Sequence, residues 1–472
     1  MNPAPPRFPV SVSFADSLRL WLQVGLLSFG GPAAQIAVMH RLVVDERRWV
    51  DEQKFLNGLN FCMLLPGPEA QQLATWLGWT LHGLRGGLAA GLLFILPGSL
   101  CMLALGWIYT EYRELPALAG LFFGLKCAVL AVLADALRRL TRRVLKSRPL
   151  QWLAAATCAA MLIASLPFPL VVATAGGVGW FVGRRQSSPG TNGMSGAPAE
   201  PKHTVPAQTT HSASPRVAQQ ELYAPGVPLP SVTAPGWGHI ARVLPMGLAI
   251  WFAPLLLAGS LAGFNSVFVQ TALFFSRAAV VTFGGAYAVL GYVDQQAVEK
   301  FGWLQRGEML DGLGLAETTP GPLILVVQFV GHVACWRGSA DLPPAIAGIL
   351  GALLATWVTF APSFLWIFLG APWVEQLPRV RGLTTGLQAI SAVVVGVIAS
   401  LSFELAGGVL FDQQQSLLIG PLTLQLPIWT SLRLDAAAVS ALGAVILFVF
   451  RAGLGVVLAA CVAAGLVLRL VL

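Results

Sequence analysis

The sequence predicts an all-α, polytopic membrane protein made of two homologous halves. Three observations predict it. The first is composition: 472 residues, 56% hydrophobic and 11% charged, with a mean hydropathy of +0.72. Soluble domains carry about 25% charged residues. The second is length of the apolar runs. Several reach the roughly 20 residues that cross a bilayer, enough for about 10 to 13 crossings, counting broken ones. The third is a repeat. Phe29-Gly30-Gly31 followed by Pro66-Gly67-Pro68 recurs as Phe283-Gly284-Gly285 followed by Pro320-Gly321-Pro322. Trp49 and Trp303 stand at the same place between these motifs, and Asn57-Gly58-Leu59 matches Asp311-Gly312-Leu313, all at an offset of 254. Agreement across so many unrelated residue types marks a duplicated unit.

Taken in order, the first half begins with a loose Pro-rich stretch without an apolar signal region, so the first apolar segment is expected to be kept. A helix from Asp16 toward Phe29 is interrupted by Gly30-Gly31-Pro32. A short helical piece leads to the charged segment 44–52, where Trp49 suits the headgroup boundary. A helix over 52–64 runs into Pro66-Gly67-Pro68, and a half-helix over 69–81 follows. A span over 86–109 is expected to kink at Pro97-Gly98. The span 117–137 ends in Arg138, Arg139, Arg142, Arg143, Lys146 and Arg148, which assigns that end to the cytoplasm. Two shorter stretches, 149–166 and 168–183, form a hairpin.

Residues 1–183 are therefore the first half. Residues 184–238, rich in Pro, Gly, Ser and Thr, are expected to be a disordered cytoplasmic linker. His203 and His211 there are too sparse for a metal site. Residues 239–472 are the second half: an extra span over 241–261, the repeat, a span over 344–369 carrying Ala361-Pro362, another over 383–402, a polar loop and a last hairpin over 434–472. Leu115-Pro116, Gly120, Gly124 and Lys126 align with Leu377-Pro378, Gly382, Gly386 and Gln388. The first of these helices has its arginines after its C-terminus, and the second has Arg379 and Arg381 before its N-terminus. If both basic ends are cytoplasmic, equivalent helices run in opposite directions and the repeat is inverted. The +8 balance is read as such cytoplasmic loops and not as a nucleic-acid surface. Six scattered cysteines without a C-x-x-C are expected to be free, buried thiols, with no metal site.

Each break must face protein or a wet cavity, since lipid offers no hydrogen-bond partner. A break also exposes the N-terminus of the next half-helix, whose free N–H groups and dipole favour an anion. Four such ends, at Phe29, Gly30, Gly31, at Pro66, Gly67, Pro68, at Phe283, Gly284, Gly285 and at Pro320, Gly321, Pro322, are expected to converge on a midplane anion site. The alternative is kinks that serve packing alone. Among charges beside the breaks, Arg277 and Lys126 are expected to counter an anion, and Glu69, also beside the site, and Glu317 to take a coupling proton. The bland alternatives are an ion pair for Arg277, snorkelling for Lys126 and helix capping for Glu69. His40 and Arg41 either guard an entrance or contact headgroups. Gly120/Gly124 and Gly382/Gly386 are expected to permit close helix packing. No metalloprotease, hydrolase-elbow, Walker or dinucleotide motif is present in context. An ATP-driven pump and a familiar intramembrane hydrolase are disfavoured, and no cofactor is expected.

These motifs carry a resemblance. Ser28-Phe29-Gly30-Gly31-Pro32, Arg47-Arg48-Trp49 and Leu65-Pro66-Gly67-Pro68-Glu69-Ala70 with Gln72-Leu73-Ala74 resemble the first domain of the chromate ion transporter family. Thr282-Phe283-Gly284-Gly285-Ala286, Gly302-Trp303-Leu304 and Leu315 through Leu323 resemble its second, so the chain is similar to the two-domain, long-chain form. The resemblance implies a transporter and not an enzyme. It implies chemiosmotic export of chromate from the cytoplasm across the inner membrane, with chromate resistance as the outcome. Sulfate is the expected competitor or counter-ion, the bilayer the expected partner, and a homodimer is left open. The competing readings are a sulfate or general oxyanion permease, a channel, and a membrane-embedded enzyme or sensor built on Glu69 and Glu317.

Overall fold

In a computed structural model of the protein, residues 12–164, 168–185, 237–283, 286–374, 381–419 and 422–471 are described. The first half contains α1 (Phe14–Leu27), α2 (Gly31–His40), α3 (Glu52–Cys62), α4 (Glu69–Tyr112), α5 (Pro116–Val144), α6 (Arg148–Ala164) and α7 (Phe168–Arg185). The second contains α8 (Trp237–Ala262), α9 (Val267–Val281), α10 (Ala286–Gln295), α11 (Glu308–Thr318), α12 (Val326–Gly338), α13 (Pro344–Gly370) and α14 (Arg381–Leu410). A ribbon, β1 (Gln414–Ile419) and β2 (Leu422–Pro427), then leads to α15 (Leu434–Phe448) and α16 (Leu454–Val471).

Among the described residues, five helices are long and apolar enough to cross a membrane and five shorter ones are apolar. Their outer faces suit lipid. On α4, Leu84, Leu88, Leu92, Leu96 and Leu100 recur every fourth residue and are all exposed, an apolar stripe on one helical face. Large residues such as Trp21, Phe55, Phe94, Phe275 and Phe329 fill the interior.

The duplicated pattern is a duplicated backbone. The charged segment before each Trp winds as a wide π turn, Arg41–Glu46 and Gln296–Lys300. Arg47 N donates to Leu42 O and Phe301 N to Gln296 O; Trp49 N donates to Val43 O and Trp303 N to Ala297 O. These bonds are equivalent under the offset of 254. The half-helix and span expected over 69–81 and 86–109 are the two arms of α4. Non-helical angles at His82 and Gly83 turn the chain back, so that Gly78 lies against Gly86 and Ala90. The polar loop holds an antiparallel ribbon, with Gln414 opposite Pro427 and Ile419 opposite Leu422, which sequence reading did not foresee. The helices also reach past both ends of the expected linker, to Arg185 and from Trp237; residues 186–236 lie outside the described residues, as do Leu377-Pro378 and Arg379. Of the six cysteines, Cys62, Cys127, Cys335 and Cys461 are buried, Cys158 is half-buried and Cys101 is exposed on α4, so burial of the thiols holds for four.

The halves exchange helices. α16 of the second half packs along α5 of the first, with the backbone of Cys461 and Val462 against Gly124 and that of Gly465 against Gly120. α7 of the first half packs along α14 of the second, where Gly386 faces Trp180 and Gly176 faces Ile390. Small residues let backbones approach, which is how helices associate when lipid removes the hydrophobic drive.

A Cβ on Gly124 would stand 2.6 Å from Val462 Cα, so Gly124→Leu must separate α5 from α16. Overpacking of this kind costs about 1–3 kcal/mol. We expect a lower melting temperature in detergent. Gly177→Leu is the control, because nothing lies within 4 Å of a Cβ there, and its melting temperature should match the parent.

Candidate functional site

The site is built from the breaks. α1 ends at Leu27, and Ser28 Oγ donates back to Val24 O at 2.6 Å. α9 ends at Val281, and Thr282 Oγ1 donates back to Ala278 O at 2.6 Å. The carbonyls of Ser28 and Thr282 then need donors. Proline has no N–H, so a Pro-Gly-Pro segment has one donor, its glycine. Gly321 N donates to Ser28 O and Gly67 N donates to Thr282 O, both at 2.7 Å. Each half thus satisfies the break of the other. Gly67 and Gly321 have φ of 126° and 95°, a region that side chains rarely tolerate.

The surroundings repeat this exchange. Gly98 of α4 lies against Pro320, and Ser363 of α13 lies against Gly67; each follows the internal proline of its span, Pro97 or Pro362. Gln35 Nε2 donates to Gly321 O at 2.6 Å, and Gln72 Nε2 to Pro66 O at 2.8 Å. The four breaks expected to converge are joined two by two, Phe-Gly-Gly of one half with Pro-Gly-Pro of the other. Gly284 and Gly285 lie outside the described residues, so the second pair is seen through Thr282 and Phe283.

A cavity of about 600 Å³ opens beside the first pair. Its walls are Gly30 and Ala34 at the start of α2, Asp135, Arg138, Arg139 and Arg142 on α5, Tyr287 on α10, Glu317 on α11 and the α15–α16 turn with Arg451. Asp135 pairs with Arg138 at 3.2 Å and Arg139 at 2.9 Å. Tyr287 donates its hydroxyl to the buried Glu317 carboxylate. A second, more apolar cavity of about 540 Å³ shares Gly30 and Glu317 and is bounded by Phe29, Thr318 and α16. Phe29 is exposed there. Glu69 occupies the first turn of α4, half-buried, and feels the charge of Arg143. The basic tail of α5 therefore meets both glutamates singled out from the sequence.

The other two predicted charges lie elsewhere. Arg277 is exposed on α9, and Tyr292 is the group that feels its charge; it does not join the described breaks. Lys126 pairs with Asp311 at 3.1 Å. About twelve residues of helix, roughly 18 Å, separate it from the arginines on the same α5. Asp311 also accepts from Tyr109 at 3.0 Å. One turn away, the buried Glu308 takes both guanidinium nitrogens of Arg337 at 2.7 and 2.8 Å, and also Arg113. Tyr109, Arg113 and Lys126 belong to the first half; Glu308, Asp311 and Arg337 belong to the second. This interlock ties the halves together opposite the cavity.

Sequence reading missed two groups. Arg138, Arg139 and Arg142 were expected only to orient the chain. Their signal was Asp135, three and four residues upstream of Arg138 and Arg139, where a helix brings side chains together. Glu308 and Asp311 were passed over; the signal was that Asp311 replaces Asn57 in the repeat and so puts a charge into a packed helix.

The sequence matches the chromate transporter family profile over residues 15–180 and 269–466. It is 31% identical over 403 residues to a chromate transport protein of Pseudomonas aeruginosa, covering 84% of this chain and 82% of the relative. It is 28% identical over 387 residues to a probable chromate transport protein of Synechococcus elongatus, covering 82% and 83%, and 26% identical over 399 residues to a chromate transport protein of Cupriavidus metallidurans, covering 84% of each. No solved structure matches. With two matched regions carrying the repeated breaks, and apolar helices that make it a multi-pass membrane protein, the chain belongs to the chromate transporter family.

Proposed function

We propose that this chain is a secondary active transporter that exports chromate from the cytoplasm across the inner membrane. The substrate follows from the names of the relatives. One observation carries the mechanism: an arginine-lined cavity reaches a pair of broken helices at one end of α5, while a buried ionic interlock binds the halves at the other. In the positive-inside reading the basic tail of α5 is cytoplasmic, so this is the inward-open state of an alternating-access cycle. Glu317 stands between the cavity and the first break and is the proposed coupling carboxylate; Glu69 is its counterpart at the other pair.

An inverted repeat is part of the proposal. Support comes from the helix order. α5, α6 and α7 follow one another through short connections and are read as alternating in direction. α7 lies along α14, with Gly176 by Ile390 and both Gly176 and Trp180 by Gly386, which is read as an antiparallel passage. α5 and α14, which the repeat equates, then run oppositely. The halves are proposed to be joined by a cytoplasmic linker after Arg185. A general oxyanion permease is the second reading, because arginines and half-helix ends offer nothing that separates tetrahedral dianions of similar size.

Protein purified into liposomes should accumulate chromate only when a pH gradient is imposed, and cells expressing it should tolerate more chromate. Equal sulfate flux would favour the permease, lowered tolerance an importer. Removing the proposed coupling carboxylate by Glu317→Gln should abolish the gradient dependence and reduce uphill flux about tenfold or more. Arg277→Ala, on the outer face, should retain most of the flux at normal expression.

A further inference from the structure

Four arginines line the cavity, but they are not equivalent. Asp135 holds Arg138 and Arg139, and Arg138 also covers the Phe448 ring at 5.0 Å. Among the described residues no carboxylate pairs with the other two, Arg142 and Arg451. They come from opposite halves: Arg142 from the last turn of α5, Arg451 from the turn joining α15 to α16. With Asp135 and Glu317 ionised, four guanidinium charges face two carboxylates and leave the cavity at +2. That balance complements a dianion and over-neutralises a monoanion.

The backbone at Arg451 supplies a separate observation. α15 ends in a wide turn, with Phe450 N donating to Val445 O at 3.2 Å and Ala452 N to Ile446 O at 3.1 Å. Arg451 between them has φ of 53°. Glycine is the low-strain residue for such a left-handed position, and helix ends commonly place one there. Arg48 has the same φ in a turn with the same hydrogen bonds, so the turn itself is shared, and what distinguishes Arg451 is its place on the wall of an anion-sized cavity.

We propose that Arg142 and Arg451 form a clamp, one arm from each half, that grips the tetrahedral dianion on the cytoplasmic side and sets the preference for dianions over monoanions. The proposal rests on the transport reading above. Guanidinium is suited to this task, since it presents paired donors to oxyanion oxygens.

The test is equilibrium binding of radiolabelled sodium chromate to the full-length protein in detergent. Sodium sulfate and sodium perchlorate compete; perchlorate has the same tetrahedral shape and a single charge. Melting temperature is read in parallel. Arg451→Gly should weaken chromate binding about tenfold or more, as loss of one charge-assisted contact implies. Its melting temperature should be unchanged or raised, because glycine relieves the backbone. Arg142→Gln should weaken binding similarly. The double variant should lose less than the product of the two, as arms that share one ion must. Arg451→Lys, which keeps the charge but not the fork, should fall between. Sulfate should displace chromate far better than perchlorate from the parent, and that gap should narrow in both single variants. Parent-like chromate binding and sulfate/perchlorate discrimination in Arg451→Gly and Arg142→Gln would overturn the clamp and leave the transport reading standing. A parent protein that neither binds nor moves chromate would overturn both.

Discussion

Backbone polar groups in a hydrocarbon slab must be paired within the protein, and this chain breaks its helices at matched places in each half. The structure depends on how those broken ends are satisfied. Gly321 N bonds Ser28 O and Gly67 N bonds Thr282 O. Each Pro-Gly-Pro carries one donor, flanked by prolines, and gives it to the break of the other half. The halves are therefore committed to each other at their most irregular points. The swapped packing of α16 on α5 and α7 on α14 extends the same dependence outward.

Charge is distributed around this crossed backbone with a clear asymmetry. On one side, two buried carboxylates, Glu308 and Asp311, take Arg113 and Lys126 across the boundary between halves, and Glu308 also takes Arg337 of its own half. A buried carboxylate stripped of its cation is costly, so these ion pairs hold the two halves together. On the other side, four arginines face two carboxylates around an open cavity. That balance leaves a surplus of positive charge at the cavity when both carboxylates are ionised. α5 carries both features, with Lys126 in the interlock and Arg138 to Arg142 at the cavity.

Much of the architecture was legible in the sequence because it is local. Gly30-Gly31-Pro32 and Pro66-Gly67-Pro68 interrupt helices wherever they occur, so α1, α2, α3 and the first arm of α4 could be drawn in order. Gly120 and Gly124 announced a close helix contact, but not that α16 would make it. Glu317 was found by its place beside a break, and it does line both cavities. Arg277 was singled out by the same logic and lies exposed on α9 instead. The sequence gives its distance to the break but not the helix face it occupies, and only packing against neighbours chooses that face.

By itself the sequence determined the class of protein, the duplication, the positions of the breaks and the family. Composition, periodicity and turn chemistry are properties of neighbouring residues and survive in any arrangement of the helices. The tertiary structure alone decided which break satisfies which, that Lys126 is held by Asp311, and that arginines read as a topological marker wall a cavity together with Arg451. Those facts join residues more than 180 positions apart. They depend on pairing backbone donors and ionic partners across the two halves, a choice that no local propensity encodes.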